Sequence, residues 1–230
     1  MNICNPIGGP PAAILAVYSR AVYRLVDGPQ VPGSIQWSLQ GDVSSIHFEG
    51  SDRGQQVTLV TLHASEYAQA TTLIATFTPS DASVASTASV ALTVFSVSIG
   101  NADGASAPVT ILGVGNRASY VPVITPDIGL PPGSWTQGNQ RGIAVLNCEP
   151  SGAVEVLGEC VTEAGRDATL CISVAAGDQV ARATLPILVF GVEMELMAEA
   201  LDAPVAAGNE IGVGESRTAL ARFVPAQAGP

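Results

Sequence analysis

Two separate markers in the chain repeat at nearly the same separation. Val94-Phe95-Ser96-Val97 recurs 95 residues later as Val189-Phe190-Gly191-Val192, and Ala107-Pro108-Val109 recurs 96 residues later as Ala203-Pro204-Val205. A period of this length is much longer than that of solenoid repeats, which is about 20 to 50 residues. The repeating unit is therefore a whole domain, and the chain is predicted to consist of successive, similarly built domains.

Further correspondences locate three starts of the repeat but only two complete copies. Arg20, Arg117 and Arg217 mark one position in three successive copies, and Tyr23 corresponds to Tyr120. The chain of 230 residues has room for two domains of ordinary size. We therefore expect units at 1–95 and 96–190 and a partial third unit at 191–230, which holds only the first strands of its domain and cannot bury a sheet face alone.

Local patterns within each unit are those of β-strands. Segments rich in β-branched residues alternate imperfectly between apolar and polar positions and are separated by Gly, Pro, Ser and Asp turns. The clearest are 55–62, 71–77, 88–94, 168–174 and 181–189. A helical period is credible only at 192–201, where the repeat indicates a strand instead. The sequence therefore predicts an all-β fold made of tandem two-sheet sandwiches.

The features of a complete copy come in a fixed order. A Gly-containing strand carrying Arg is followed by an apolar strand ending in Pro, a Pro-Gly-Ser turn, a Trp, a Gly-rich turn, an apolar alternating strand and a closing strand ending in Val-Phe. This order resembles bacterial immunoglobulin-like domains of the intimin and invasin type, and those found on phage capsid and tail proteins. The resemblance covers almost the whole chain and implies immunoglobulin-like sandwiches of about 100 residues. It also implies that Trp37 and Trp135 are core residues that pack between the two sheets of their units.

Charge and composition disfavour several classes of partner. Nine arginines and no lysine stand against twenty acidic residues, which gives a net charge of -11. Nucleic acid and anionic membranes require a clustered basic face, and no run of arginines occurs. No apolar run is long enough for a membrane-spanning helix, and no classical signal peptide is recognisable.

The four cysteines match no zinc-binding pattern. Cys148, Cys160 and Cys171 lie in the second unit and Cys4 in the first, without the close pairs that zinc sites use. A disulfide between two of the three is plausible in an oxidising compartment, with Cys148 and Cys160 preferred. The alternative is that the thiols are free and buried, since unpaired cysteine is among the most buried residue types.

No arrangement in the sequence specifies an enzyme. His47 and His63 are the only histidines, and the grouping of Asp42, Ser45 and His47 lacks the Gly-x-Ser-x-Gly context of a nucleophile. Segment 101–104 has a faint likeness to a calcium loop but lacks alternating acidic ligands. We therefore expect no catalytic residue and no cofactor, with calcium as the alternative at 101–104.

These observations favour a non-enzymatic structural or adhesive role at a cell surface, in a filament or on a virion. Protein partners are expected, through self-assembly or a neighbouring subunit that completes the third unit by strand addition. The alternatives are a phage capsid decoration protein and a carbohydrate- or receptor-binding module that uses exposed loop aromatics such as Tyr67.

Overall fold

The protein is built from β-strands. The computed structural model describes residues 1–28, 31–81, 84–104, 107–138, 140–163, 166–197 and 218–224. These residues form sixteen strands and contain no helix. No segment among them is a helix long and apolar enough to cross a membrane.

The first eight strands form a two-sheet sandwich, here called the first sandwich. One sheet has the order β1-β3-β6-β5; the other has the order β4-β7-β8, with β2 pairing in parallel with β8. The strands are β1 Asn2–Cys4, β2 Ile14–Ala16, β3 Arg20–Val26, β4 Gly33–Gly41, β5 Ile46–Phe48, β6 Gln56–Thr61, β7 Thr71–Pro79 and β8 Ser86–Asn101.

The second sandwich repeats this plan strand for strand. One sheet has the order β12-β13-β10-β8; the other has the order β11-β14-β15, with β9 pairing in parallel with β15. The added strands are β9 Ile111–Gly113, β10 Arg117–Thr125, β11 Ser134–Gln137, β12 Ile143–Cys148, β13 Val154–Gly158, β14 Ala168–Ala176 and β15 Gln179–Met197. This strand order, with a short parallel strand beside the last strand, is that of immunoglobulin-like sandwiches. The predicted fold class is confirmed.

Strand β8 belongs to both sandwiches. Its first half, Ser86–Leu92, pairs with β7 of the first sandwich, and its second half, Ser96–Asn101, pairs with β10 of the second. The two sandwiches are therefore joined by uninterrupted strand, and one sheet of each merges into a seven-stranded sheet.

Strand β15 likewise continues beyond the second sandwich. Its first part pairs with β14, and Gly191–Met197 then pairs with β16, Thr218–Val224. The region at 192–201 is thus a strand as far as Met197, as the repeat predicts. Of the predicted third unit at 191–230, this hairpin is the part that lies within the described residues.

Each sandwich has its own apolar core, because alternate residues of each strand point inward. In β14 the inward residues are Ala168, Leu170, Ile172 and Val174, all with no exposed surface. One cluster collects the buried residues of β3, β4, β6 and β7, and a second collects those of β10, β13, β14 and β15. The division falls within β8, where Val94 belongs to the first cluster and Phe95 to the second.

Candidate functional site

The two predicted core tryptophans occupy the same place in the two sandwiches. Trp37 lies on β4 with 1% of its surface exposed, and Trp135 lies on β11, half-buried against the second core. Each indole Nε1–H donates to a backbone carbonyl seventeen residues later, Gly54 or Gly152, at 2.8 Å. A buried indole N–H requires an acceptor. Both rings are therefore fixed to the turn that follows in their own sandwich.

A pair of tyrosines forms a second repeated anchor. Tyr23 and Tyr120 have no exposed surface, and each hydroxyl donates to a carbonyl eleven residues earlier, Ala12 at 2.7 Å or Val109 at 2.8 Å. The repeat in the sequence shows that these two tyrosines are equivalent. It does not show which carbonyls accept their hydroxyl groups, because that depends on the path of the chain before β3 and β10. Both anchors serve the fold.

Burial changes the acidity of these tyrosines. Burial raises the pKa of Tyr120 to about 12. Burial also raises the pKa of Tyr23, and the carboxylate of Asp178 adds to this effect. In both cases the folded protein favours the neutral phenol.

We expect the stability of the second sandwich to fall between about pH 10 and pH 12. Tyr120 in the unfolded chain loses its proton near its ordinary pKa of 10.0, whereas the folded group keeps it to about 12. The unfolded state therefore binds fewer protons than the folded state across this interval. The contribution of Tyr120 to the free energy of unfolding is complete below pH 10 and is lost as the pH rises to about 12. Urea unfolding of the native chain and of Tyr120→Phe, followed at several pH values, measures this. The variant will be less stable at pH 8, because it loses a hydrogen bond, but will show a shallower alkaline decline.

The matched control is Tyr67→Phe, since Tyr67 is 57% exposed. Its alkaline decline should equal that of the native chain. Identical slopes for the native chain and Tyr120→Phe would contradict the assignment.

The cysteines are free thiols in this structure. Cys148 and Cys160 are exposed, whereas Cys4 and Cys171 are half-buried. Cys148 pairs with Val154 at one end of β12, and the amide of Cys160 bonds to the carbonyl of Gly142, before the other end. Six strand steps of about 3.3 Å place them well beyond the roughly 7 Å between Cα atoms that a disulfide spans. This arrangement does not support the Cys148–Cys160 bridge preferred from the sequence.

The grouping of Asp42, Ser45 and His47 does not form a catalytic triad. Ser45 is buried and its hydroxyl donates to the backbone carbonyl of Asp42 at 3.3 Å, whereas His47 is exposed. The side-chain hydroxyl of Ser44, helped by the amides of Ser44 and Glu66, holds the pKa of Asp42 below its usual value. The Asp42 carboxylate is therefore engaged in hydrogen bonds of its own loop, and it does not activate Ser45 as a nucleophile.

The segment at 101–104 is a turn whose polar groups are already in use. Both ends of the Asn101 amide are occupied, because its Nδ2–H donates to Ala107 and its Oδ1 accepts from the amide of Val109. Gly104 has a φ of +78° and its amide bonds to the carbonyl of Asn101. No group of three metal-ligating side chains occurs within the described ranges.

The repeated arginines lie on the surface and pair with glutamates. Arg20 pairs with Glu49, and Arg117 pairs with Glu155 at 3.2 Å. Exposed pairs of this kind contribute little to stability. Arg217 lies outside the described residues.

The Gly-Val-Gly segment at 113–115 is a tight turn at the end of β9. The amide of Asn116 bonds to the carbonyl of Gly113, and Gly115 has a φ of +83°.

The junction between the sandwiches has contacts besides β8. The β14–β15 turn of the second sandwich reaches β2 of the first, where Gln179 Oε1 accepts from the amide of Ala16 at 3.4 Å. A shallow cleft beside this contact is lined by residues of both sandwiches, including Ala12, Leu130 and Asp178. Sequence reasoning did not predict this contact between sandwiches, because the segment at 176–178 shows only the pattern of an ordinary Gly-Asp turn.

A groove follows at the start of the third unit. It is lined by Gly113, Val161, Phe190 and Val224, among others, and the rings of Phe190 and Phe223 meet edge to face at 5.8 Å. The amide of Val114 bonds to Phe190 at 2.9 Å, as the amide of Val17 bonds to Phe95 at 2.9 Å. The backbone of the first junction is thus repeated at the second.

Neither the comparison with protein-family models nor the comparison with curated proteins gave a match. Among solved structures, the chain is similar to tandem immunoglobulin-like domains. A C-terminal fragment of intimin in complex with the intimin-binding domain of its translocated receptor is 15% identical with a TM-score of 0.38, over 76% of this chain and 59% of that one. Murine CEACAM1b is 10% identical with a TM-score of 0.29, over 77% and 96%. The eight N-terminal immunoglobulin domains of Down Syndrome Cell Adhesion Molecule are 14% identical with a TM-score of 0.39, over 87% and 25%. The tandem immunoglobulin-like fold expected from the sequence is confirmed by the strand order of the two sandwiches.

Proposed function

We propose that the chain is a non-enzymatic structural and adhesive module, a semi-rigid row of immunoglobulin-like units that projects or links protein partners. Strand β8 is the observation that carries this proposal, because it runs from one core into the next without a loop. Bending at this point would require backbone hydrogen bonds of a shared sheet to break. A row joined in this way holds its units at a fixed spacing.

The units of this row are 1–95, 96–190 and 191–230. The division at Phe95 is supported by the change of pairing partner along β8, and the division at Phe190 by the same change along β15. In each long strand one residue type, Phe, stands immediately before the change. The first two units therefore each close their own core and supply the first strand of the next unit.

The setting that suits such a row is extracellular, on a cell surface, in a filament or on a virion. The partners are proteins: neighbouring structural subunits, including strands that complete the sheet begun by the β15–β16 hairpin. The exposed ion pairs and the net charge of -11 keep such a row soluble at high local density.

A flexible insertion tests whether β8 couples the sandwiches. Inserting Gly-Ser-Gly-Ser between Phe95 and Ser96 will let the two sandwiches tumble independently, since such linkers behave as random coils. The rotational correlation time of each sandwich, from NMR relaxation, should fall roughly twofold, because each then carries about half of the mass.

The control is the same insertion between Gly50 and Ser51, in an exposed turn where a β-carbon added to Gly50 would meet no atom within 4 Å. That variant should tumble like the native chain. A native chain whose sandwiches already tumble independently would refute the coupling, as would an unchanged correlation time after insertion at Phe95.

A further inference from the structure

Three loops meet at the end of the first sandwich that lies beside the second. They are the turn between β2 and β3, the loop between β4 and β5, and the loop between β6 and β7. The amide of Thr61 bonds to Ser19 at 3.1 Å, and the amide of Leu62 bonds to Ser45 at 2.9 Å. The amide of Asp42 bonds to the carbonyl of Ala70 at 2.8 Å, which holds the third loop against the second. Backbone bonds therefore fix the three loops as one surface.

This surface exposes four large apolar or aromatic side chains, which we name the tyrosine patch. They are Tyr18, 85% exposed, Val43, 52%, Leu62, 41%, and Tyr67, 57%. Tyr18 and Leu62 adjoin Ser19 and Thr61, whose backbone bond joins the first loop to the third. Val43 lies on the second loop and Tyr67 on the third, and the Asp42–Ala70 and Leu62–Ser45 backbone bonds join these two loops.

The second sandwich has the same loop framework without the patch. There the amide of Glu159 bonds to Gly142 at 2.8 Å, as Leu62 bonds to Ser45. The residues equivalent to Tyr18, Val43 and Leu62, 97 positions later, are Gly115, Gln140 and Glu159. The equivalent of Tyr67 lies outside the described residues. Since the same loops form with glycine and polar residues, the fold does not require apolar ones in the first sandwich.

Tyr18 also has an unfavourable backbone conformation. Its φ is +60°, a region that non-glycine residues adopt at a cost, and the equivalent Gly115 has a φ of +83°. The tyrosine ring gains almost no burial in return, since it is 85% exposed. A strained and exposed aromatic residue where the sister domain has glycine points to a role in binding.

The chemistry of the patch indicates a protein partner with a cationic and apolar face. Tyrosines on rigid loops of a sandwich, flanked by Ser19 and Ser44, are the usual contact residues of protein-binding loops. Asp42 and Glu66 contribute negative charge to this surface, and the low pKa of Asp42 keeps it ionised. Arg20, which follows Ser19, is already paired with Glu49. Complementary charge would steer a basic partner toward the patch.

We propose that the tyrosine patch is a docking surface for a protein segment that presents Lys or Arg beside apolar side chains. Tyr18 and Tyr67 supply the contact area, and Asp42 and Glu66 select for positive charge. The tyrosine patch gives the first sandwich a binding surface at its junction end that the described equivalent positions of the second sandwich lack.

A random peptide library displayed on phage, selected against the full chain, tests this proposal. The enriched peptides should carry Lys or Arg together with aromatic or aliphatic residues, and their affinity should fall as salt rises. Tyr18→Gly and Tyr67→Ser should each weaken a selected synthetic peptide by about tenfold or more, as loss of a central tyrosine does at protein interfaces. Tyr18→Gly should melt at the same temperature as the native chain or higher, because glycine suits the positive φ.

The control is Ile7→Ser, which removes an apolar side chain that is 94% exposed in the segment between β1 and β2. It should leave peptide affinity unchanged. The proposal is overturned if no peptides are enriched, if enriched peptides are acidic, or if they bind Tyr18→Gly as tightly as the native chain. Saturable binding on a glycan array that is lost in Tyr18→Gly would overturn it in favour of a sugar ligand.

Discussion

Replacing Trp37 with alanine will lower the free energy of unfolding of the first sandwich by about 3–5 kcal/mol. The side chain is 1% exposed and packs in the first core, and its Nε1–H bonds to Gly54 at 2.8 Å. The substitution leaves a large cavity and removes the donor that fixes the following turn. Urea unfolding followed by circular dichroism will show a transition of the first sandwich at lower urea than in the native chain.

Trp135→Ala is the matched control, because Trp135 makes the same bond to Gly152 but is only half-buried. Trp135→Ala should lower the free energy of unfolding by less than Trp37→Ala does. The change should appear in the unfolding transition of the second sandwich. Equal losses in the two variants would show that burial of the ring is not what separates them.

Gly41→Ala will destabilise the first sandwich by about 3 kcal/mol or more, through a steric clash rather than a lost contact. Gly41 ends β4 with a φ of +90°, and a β-carbon there would lie 2.1 Å from the carbonyl oxygen of Ala70. The neighbouring amide of Asp42 bonds to that same carbonyl, so the backbone cannot move aside without losing the bond. The free energy of unfolding in urea measures the effect.

Gly50→Ala separates the two causes, since Gly50 has a similar φ of +87° but no atom within 4 Å of the added carbon. It should cost only the backbone strain, about 1–2 kcal/mol. If both variants lose the same stability, strain alone accounts for Gly41.

The repeat allowed the architecture to be predicted, because domain-sized periodicity depends only on the order of residues. The strands at 71–77 and 168–174 were found within two residues of their ends, since each has β-branched residues that alternate in burial. The same periodicity placed Trp37 and Trp135 at equivalent positions. The sequence does not predict that β8 is shared by the two sandwiches, because an apolar run such as 88–99 does not indicate where its hydrogen-bonding partners change.

The features of the candidate sites depend on non-local geometry, and so the sequence did not reveal them. The preference for Cys148 and Cys160 rested on spacing, which is blind to their positions at opposite ends of β12. The positive φ of Tyr18 had no local signal, although comparison with Gly115 could have suggested it. The sequence predicts Tyr67 as an exposed aromatic, but Tyr18 and Val43 of the patch lie on two other loops.

The shared long strands have a consequence for how such a molecule can change in length. Phe95 and Phe190 occupy equivalent positions in their strands. The carbonyl of Phe95 accepts a hydrogen bond from the amide of Val17, and the carbonyl of Phe190 accepts one from the amide of Val114. Removal of 96–190 would join Phe95 directly to Gly191 and reproduce the backbone bonds of the lost joint. Deletions that are not a whole period would leave a sandwich without some of its strands, so variants that differ in reach are expected to differ by complete domains.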